Sequence, residues 1–232
     1  MGDARHIATL VRHGEYHQRA GAPSARQPYA LTDTGLSQAR ACGDELAEAL
    51  WSQDVALNPV IHCSRQLRAW QTASQIADRL RAHGHIVAEI RESSDLAERG
   101  LGSAANLTVA EIEQVIAADP RHAALPAGWK SDSYYTLPLE GAESLMQAGQ
   151  RVANILRDVM QARKTGGMTI FVGHGASFRH AAYHLGVLQR AQVAQLSMFH
   201  ARPLQFCYSP HDNWSHFAGD WKVRPEKQEP LD

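Results

Sequence analysis

The chain is 232 residues long, 44% hydrophobic and 20% charged, with a formal net charge of −1. That composition fits a soluble globular chain and excludes a disordered one. The near-neutral balance, without a basic stripe interleaved with aromatics, argues against a nucleic-acid partner, and no apolar run approaches the ~20 residues that span a bilayer. The three cysteines, Cys42, Cys63 and Cys207, have neither paired nor metal-like spacing, which suits a reducing compartment. Met1 to His6 holds no apolar segment, so no signal peptide is expected, and His6 stands where a myristoylation start needs Ser or Thr. A cytoplasmic chain with no membrane association is expected.

The first apolar run, Ile7-Ala8-Thr9-Leu10-Val11, predicts a strand ending at Arg12-His13-Gly14-Glu15. Residues 14 to 30 read as a loop, with Gly21, Pro23 and Pro28. A helix is predicted from about Thr34 to Trp51, capped by Thr32 or Thr34. Pro59 to Cys63 predicts a second strand. Ser64 is expected to open the next helix, which carries Leu67, Trp70, Ala73, Ile76 and Leu80 and ends at His83-Gly84. A third strand is predicted over Ile86 to Ile90. The stretch 93–140 is less regular, with one helix over Thr108 to Ala118 and a Pro/Gly-rich loop over Pro126 to Pro138. An excursion of that length suits a lid or substrate-binding insert.

A helix is predicted from Ser144 to Lys164. The strand Met168 to Val172 then runs into Gly173-His174-Gly175 and another helix to about Leu185. Val193 to His200, Leu204 to Tyr208 and Trp214 to Val223 read as late strands, with a hairpin on one sheet edge, before a charged tail over 225–232. Strands alternating with helices predict right-handed βαβ units in a single domain over 1–232, an α/β fold built as a three-layer α/β/α sandwich with a mostly parallel central sheet. Ligands gather outside the carboxyl ends of the strands of such a sheet, so His13 and His174 can share one crevice. Two imidazoles and Arg12 facing one crevice suit an anion, and phosphate is the first candidate.

Arg68, one turn into the helix after the second strand, and Glu98, in Leu96-Ala97-Glu98-Arg99-Gly100-Leu101-Gly102, extend the set. With them the chain resembles the histidine phosphatase superfamily, the phosphoglycerate mutase-like group. Arg12 to Glu15 matches its signature, Leu31 to Ala39 resembles its next block, and Ser64 to Ala73 matches its serine-to-arginine block. Leu96 to Gly102 resembles its acid loop, Gly141-Ala142-Glu143-Ser144 its Gly-Glu-Ser turn, and Gly173-His174-Gly175 its second histidine. The blocks run in family order from residue 7 to about 185.

The resemblance implies a metal-independent phosphomonoesterase without a cofactor, acting on a phosphorylated small molecule or phosphoprotein. His13 would be the nucleophile, with its other ring nitrogen donating to a backbone carbonyl in the turn after Gly14. Arg12, Arg68 and His174 would hold the phosphoryl oxygens, and Glu98 would serve as general acid and then base. Ser64 and Ser177 read as phosphate contacts or helix caps. Glu15 is a rival acid or a residue that orients Arg12. One branch of the superfamily carries its acid directly after the second histidine, where this chain has Gly175, and that favours Glu98. Beside Arg99, Glu98 also reads as half of a surface ion pair.

Several positions depart from the family. Arg19 stands where many members have Asn, and either adds a cation to the pocket or is a solvated loop residue. Tyr16-His17 replaces the more usual residues and has no reading. Cofactor-dependent mutases carry a basic pair in their insert, whereas 102–138 holds only Arg121 and Lys130, well separated, which favours hydrolysis. A phosphoglycerate-type mutase and a non-catalytic phosphate-binding scaffold are the alternative readings. His180 and His184, four apart, lack the glutamate of a zinc-protease motif. The late hairpin offers an edge for a homodimer.

Overall fold

The first strand, β1 (His6–Arg12), points Ile7 and Val11 into one core and Ala8 and Leu10 into another. A strand apolar on both faces belongs in the middle of a sheet. That is its place in the computed structural model, which describes residues 5–209 and 213–225. In chain order there follow α1 (Asp33–Ser52), β2 (Val60–Ser64), α2 (Leu67–Ala82), β3 (Glu89–Ser93), α3 (Val109–Ala118), α4 (Leu145–Gln161) and β4 (Gly167–Gly173). After these come α5 (Gly175–His184), α6 (Arg190–Gln195), β5 (Leu196–Ser197), β6 (Pro203–Ser209), β7 (Asn213–Ala218) and β8 (Lys222–Val223).

Six strands form the central sheet in the order β3-β2-β4-β1-β6-β7. β3, β2, β4 and β1 are parallel, and β6 and β7 add an antiparallel hairpin at one edge. This is the mostly parallel α/β sandwich expected from the alternation of elements. α1 and α2 cover one face through Leu46, Leu50, Ile76 and Leu80. α4 and α5 cover the other through Val152, Leu156 and Phe178. Thr32 caps α1 by accepting from the Gly35 amide, and Ser144 with Gln147 forms a capping box on α4.

The register of the parallel β1–β4 pair decides where the two histidines emerge. Arg12 lies opposite Gly173, so His13 and His174 leave the sheet side by side. Ser64, the last residue of β2, and Ser93, the last of β3, end at the same edge.

Four local expectations are corrected. Ser64 does not open a helix: it closes β2, and α2 begins at Leu67 with Gln66 at its cap. The third strand lies at 89–93 rather than 86–90, because β3 is an edge strand and needs no apolar run; Ile86 is 78% exposed. Residues 190–195 form a helix, so only Leu196-Ser197 of the predicted Val193–His200 strand pairs, with β8. The predicted Trp214–Val223 strand is broken at Gly219, whose φ of +82 suits glycine. The charged tail beyond Pro225 lies outside the described residues.

The 93–140 stretch has a small core of its own, with Leu101, Ala104, Ile112, Ile116, Trp129 and Leu137 gathered around Ala25 of the first loop. Gly14 and Gly35 meet backbone to backbone: a Cβ on Gly35 would sit 1.9 Å from the Glu15 carbonyl oxygen, and one on Gly14 2.5 Å from the Gly35 oxygen. Gly35→Ala is therefore expected to lower stability by ~1–3 kcal/mol, as overpacking does. A urea unfolding midpoint unchanged from wild type would contradict this contact.

Candidate active site

His13 follows β1 immediately, and its amide donates to the Gly173 carbonyl at 2.9 Å, continuing the ladder by one residue. Its ring is buried. Nδ1 donates to the Gly14 carbonyl at 2.7 Å, while Nε2 accepts from Arg68 Nε at 3.1 Å. A guanidinium only donates, so the two bonds agree on one tautomer, with the Nε2 lone pair on the side of Arg68. The turn carbonyl expected to hold the ring is that of Gly14 itself.

His174 is also fully buried, with its ring centroid 5.2 Å from that of His13. Its Nδ1 accepts from Arg68 at 3.3 Å, and its Nε2 donates to Ser64 Oγ at 2.9 Å. Ser64 thus steadies His174 from behind and is no helix cap. Ser177 is not a cap either: its hydroxyl donates back to the His174 carbonyl. Burial first, and the neighbouring Arg68 second, hold both His13 and His174 well below the usual histidine range.

Arg68 is fully buried beneath these rings. Beyond its two histidine partners it donates to the carbonyls of Ser24, Ala25 and Gln27, at 2.8 to 3.0 Å. The Tyr16 ring lies under its guanidinium carbon at 4.5 Å, which supplies the role for which the sequence offered no reading. Arg12 donates to the Met198 carbonyl at 2.9 Å. Gly175 makes room for it, since a Cβ there would lie 3.0 Å from Arg12 Cδ.

Glu98 is buried, not a surface ion pair with Arg99. Its carboxylate accepts from the amides of Arg99 (3.0 Å), Ser177 (3.1 Å) and Ala176 (3.3 Å), the last two in the first turn of α5. It faces a cleft of about 250 Å³ whose walls also include Arg12 and His13. Glu15 turns away and accepts from the Thr32 hydroxyl at 2.9 Å. Arg19 turns away too, pairing with Glu111 at 2.9 Å and bonding the Asn106 carbonyl, so it staples the first loop to α3 and does not line the cleft.

The structure therefore brings Arg12, His13, Arg68, His174 and Glu98 together at the parallel strand ends. A family model described as histidine phosphatase superfamily (branch 1) matches residues 8–215. The chain belongs to the histidine phosphatase superfamily. Among solved structures, a mycobacterial glucosyl-3-phosphoglycerate phosphatase in complex with VO3 is 23% identical, with a TM-score of 0.64 over 94% of this chain and 98% of that one. A protein named mycobacterial hydrolase 1 is 21% identical, TM-score 0.67, over 92% and 97% of the two chains. Phosphoglycerate mutase from Bacillus anthracis is 14% identical, TM-score 0.68, over 94% and 93%. These likenesses establish the phosphoglycerate mutase-like fold. No curated protein matches the chain.

Sequence reading missed part of this superfamily site. Gln66 braces the Glu98 amide through its side-chain carbonyl and donates to Ala25, and the Thr72 hydroxyl accepts from the Gly14 amide. Arg99, Lys130, Arg179 and Arg224 also line the cleft. Arg179 was the most legible of these, as a lone cation among the apolar residues of a buried helix.

His62, His180 and His200 are each pushed down to about 4, in every case mainly by burial. With His13 and His174, these are groups the native state holds neutral while the unfolded chain protonates them near 6.5. The stability they give is full above about pH 6.5 and is lost as pH falls toward about 4, by up to ~1.4 kcal/mol per pH unit for each histidine. Urea midpoints that rise from pH 5 to pH 7 and then level off are expected; a flat profile would contradict buried neutral histidines.

Proposed function

We propose that this protein is a metal-independent phosphomonoesterase that works through a phosphohistidine on His13. The observation that carries this reading is the orientation of His13, with Nδ1–H fixed on Gly14 and an unprotonated Nε2 that accepts from Arg68, with Arg12 nearby. As Arg68 Nε–H passes from His13 Nε2 to a phosphoryl oxygen, the Nε2 lone pair attacks phosphorus and the ester P–O bond breaks. A proton brought in by the phosphomonoester monoanion passes through Glu98 to the leaving oxygen. In the second step Glu98, now a carboxylate, takes a proton from water as that water attacks phosphorus and the P–N bond breaks. Arg12, Arg68 and His174 stabilise the charge of the transferring group, a task that phosphoryl transfer places mostly on positioning and electrostatics.

The superfamily match supports hydrolysis of a phosphomonoester, and the phosphatase among the similar structures acts on a phosphorylated small molecule. The modest cleft favours such a substrate over a phosphoprotein. The stretch 102–138 lends the cleft only Lys130 and Ser131, with Arg121 tied to Asp119 outside it, which favours phosphatase over mutase. We take one domain to carry the activity, and place it in the cytoplasm: Cys42, Cys63 and Cys207 are free, as a reducing compartment would keep them. Among the described residues no helix is long and apolar enough to cross a membrane.

Phosphate release from a panel of phosphomonoesters, with chelator present, is the test. Wild type should release phosphate and His13→Ala should not; retained activity in the variant, or a strict metal requirement, would overturn the reading. Glu98→Gln should lose ~10²–10⁴ in rate, the span of a positioned acid–base group, with the largest losses on substrates whose leaving groups are poorest. Equal loss across the panel would remove Glu98 from the acid role.

A further inference from the structure

Among the described residues three aromatic rings lie against the His13 imidazole. Those of His174 and Tyr16 have centroids at 5.2 Å and are inclined to it by 60° and 90°. His174 is engaged by Arg68 and Ser64, and the Tyr16 face is taken by the Arg68 guanidinium. The third ring, that of His200, lies at 5.7 Å and is the nearest of the three to parallel, at 33°.

His200 is held there against its own preferences. The next residue, Ala201, is buried with a left-handed φ of +45, a strained conformation for alanine. Their turn clasps the residue before the nucleophile: the Ala201 amide donates to the Arg12 carbonyl at 2.8 Å, and the Arg12 guanidinium donates to the Met198 carbonyl at 2.9 Å. Within it the His200 Nε2 is buried without a hydrogen-bond partner among the described residues. A ring kept with a buried nitrogen unmatched is not held for its hydrogen bonds, so what it offers His13 is its face. Burial above all pushes His200 down to about 4, so near neutral pH that face carries no charge.

Phosphoryl transfer gives such a face a task. His13 keeps Nδ1–H on the Gly14 carbonyl while its Nε2 lone pair forms the P–N bond and the ester P–O electrons go to the leaving oxygen. The ring then carries one positive charge until water attacks phosphorus and the P–N electrons return to Nε2. Arg68 and Arg12, which already oppose protonation of His13, stand against that charge. Among the described residues no carboxylate bonds either ring nitrogen, and the Gly14 carbonyl is the sole acceptor there. An aromatic face within about 6 Å attracts a cation without bringing in an anion that would repel the phosphoryl group.

We propose that His200 serves the transfer step by setting its ring face against the positive charge that the His13 imidazole carries while phosphorylated. This rests on the phosphomonoesterase reading, since only a phosphorylated His13 acquires that charge in the reaction.

The experiment is single-turnover phosphorylation of the full chain by the fastest ester of the phosphomonoester panel, read as alcohol release and as phosphate on His13. The inhibition constant of inorganic phosphate is measured alongside. His200→Leu, which keeps an apolar side chain but no π face, should slow phosphorylation about threefold to thirtyfold, the span of a cation–π contact from exposed to desolvated. It should leave phosphate inhibition unchanged. His200→Phe, which restores a face, should return the rate to that of wild type. Unchanged phosphorylation in His200→Leu would overturn the proposal and leave the phosphatase reading standing. A slow His200→Phe would overturn it too, because the nitrogens and not the face would then matter. Phosphate inhibition weakened in step with the rate would do the same, because the pocket itself would have been distorted. If wild type releases phosphate from no ester and His13 takes up none, the phosphatase reading falls and this proposal with it.

Discussion

The parallel pairing of β1 with β4, in the register that sets Arg12 against Gly173, is the constraint on which the catalytic centre depends. It brings the two histidines within 5.2 Å of each other with no long loop to position either. The register is in turn held by two cores. Ile7 and Val11 belong to the α1–α2 side, and Ala8 and Leu10 to the α4–α5 side, so a slip of one residue would exchange the faces of every side chain in β1. The same slip would turn His13 away from Arg68. Packing thus fixes the chemistry through geometry, and the Gly14–Gly35 contact closes the arrangement by fixing how the chain leaves the strand.

Around that centre the electrostatics follow from burial. A buried guanidinium needs acceptors, and Arg68 finds them in the carbonyls of Ser24, Ala25 and Gln27 as well as in the rings of His13 and His174. One side chain therefore holds the first loop over the site and adds to the burial that keeps both imidazoles neutral. On the proposed mechanism, a phosphoryl group entering beside His13 would compete with those partners for Arg68 donors. Glu98 is settled differently, by the amides at the start of α5, the helix that begins at the second histidine. Glu98, the second histidine and one cleft wall are thereby tied to one helix.

What the sequence revealed and what it hid divide along a physical line. Features set by neighbours in the chain were legible: the twice-buried runs of β1 and β4, the starts of α1, α3 and α4 to within a residue, and histidines placed at strand ends. Features set by distant partners were not. β3 is paired on one side only, so its exposed Glu89 and Arg91 gave no alternating signal, and the apolar Ile86 before it drew the prediction three residues early. Arg99 looked like the ion partner of Glu98 because it is adjacent in sequence, but the carboxylate bonds its backbone amide and α5 rather than its guanidinium. Arg19 read equally as a pocket cation or a solvated loop residue, because its partner Glu111 lies far along the chain.

The same division separates the two ends of the site. The histidine end stands on strand termini that two hydrophobic cores hold in register, so it tolerates little change. The outer wall of the cleft is assembled from connections and helix faces: Arg99 after Glu98, Lys130 from the long excursion, Arg179 from α5 and Arg224 after β8. Those cations come from four separate stretches and share no strand pairing, so each can be exchanged without moving His13. The wall can therefore vary while the sheet keeps the two histidines in place.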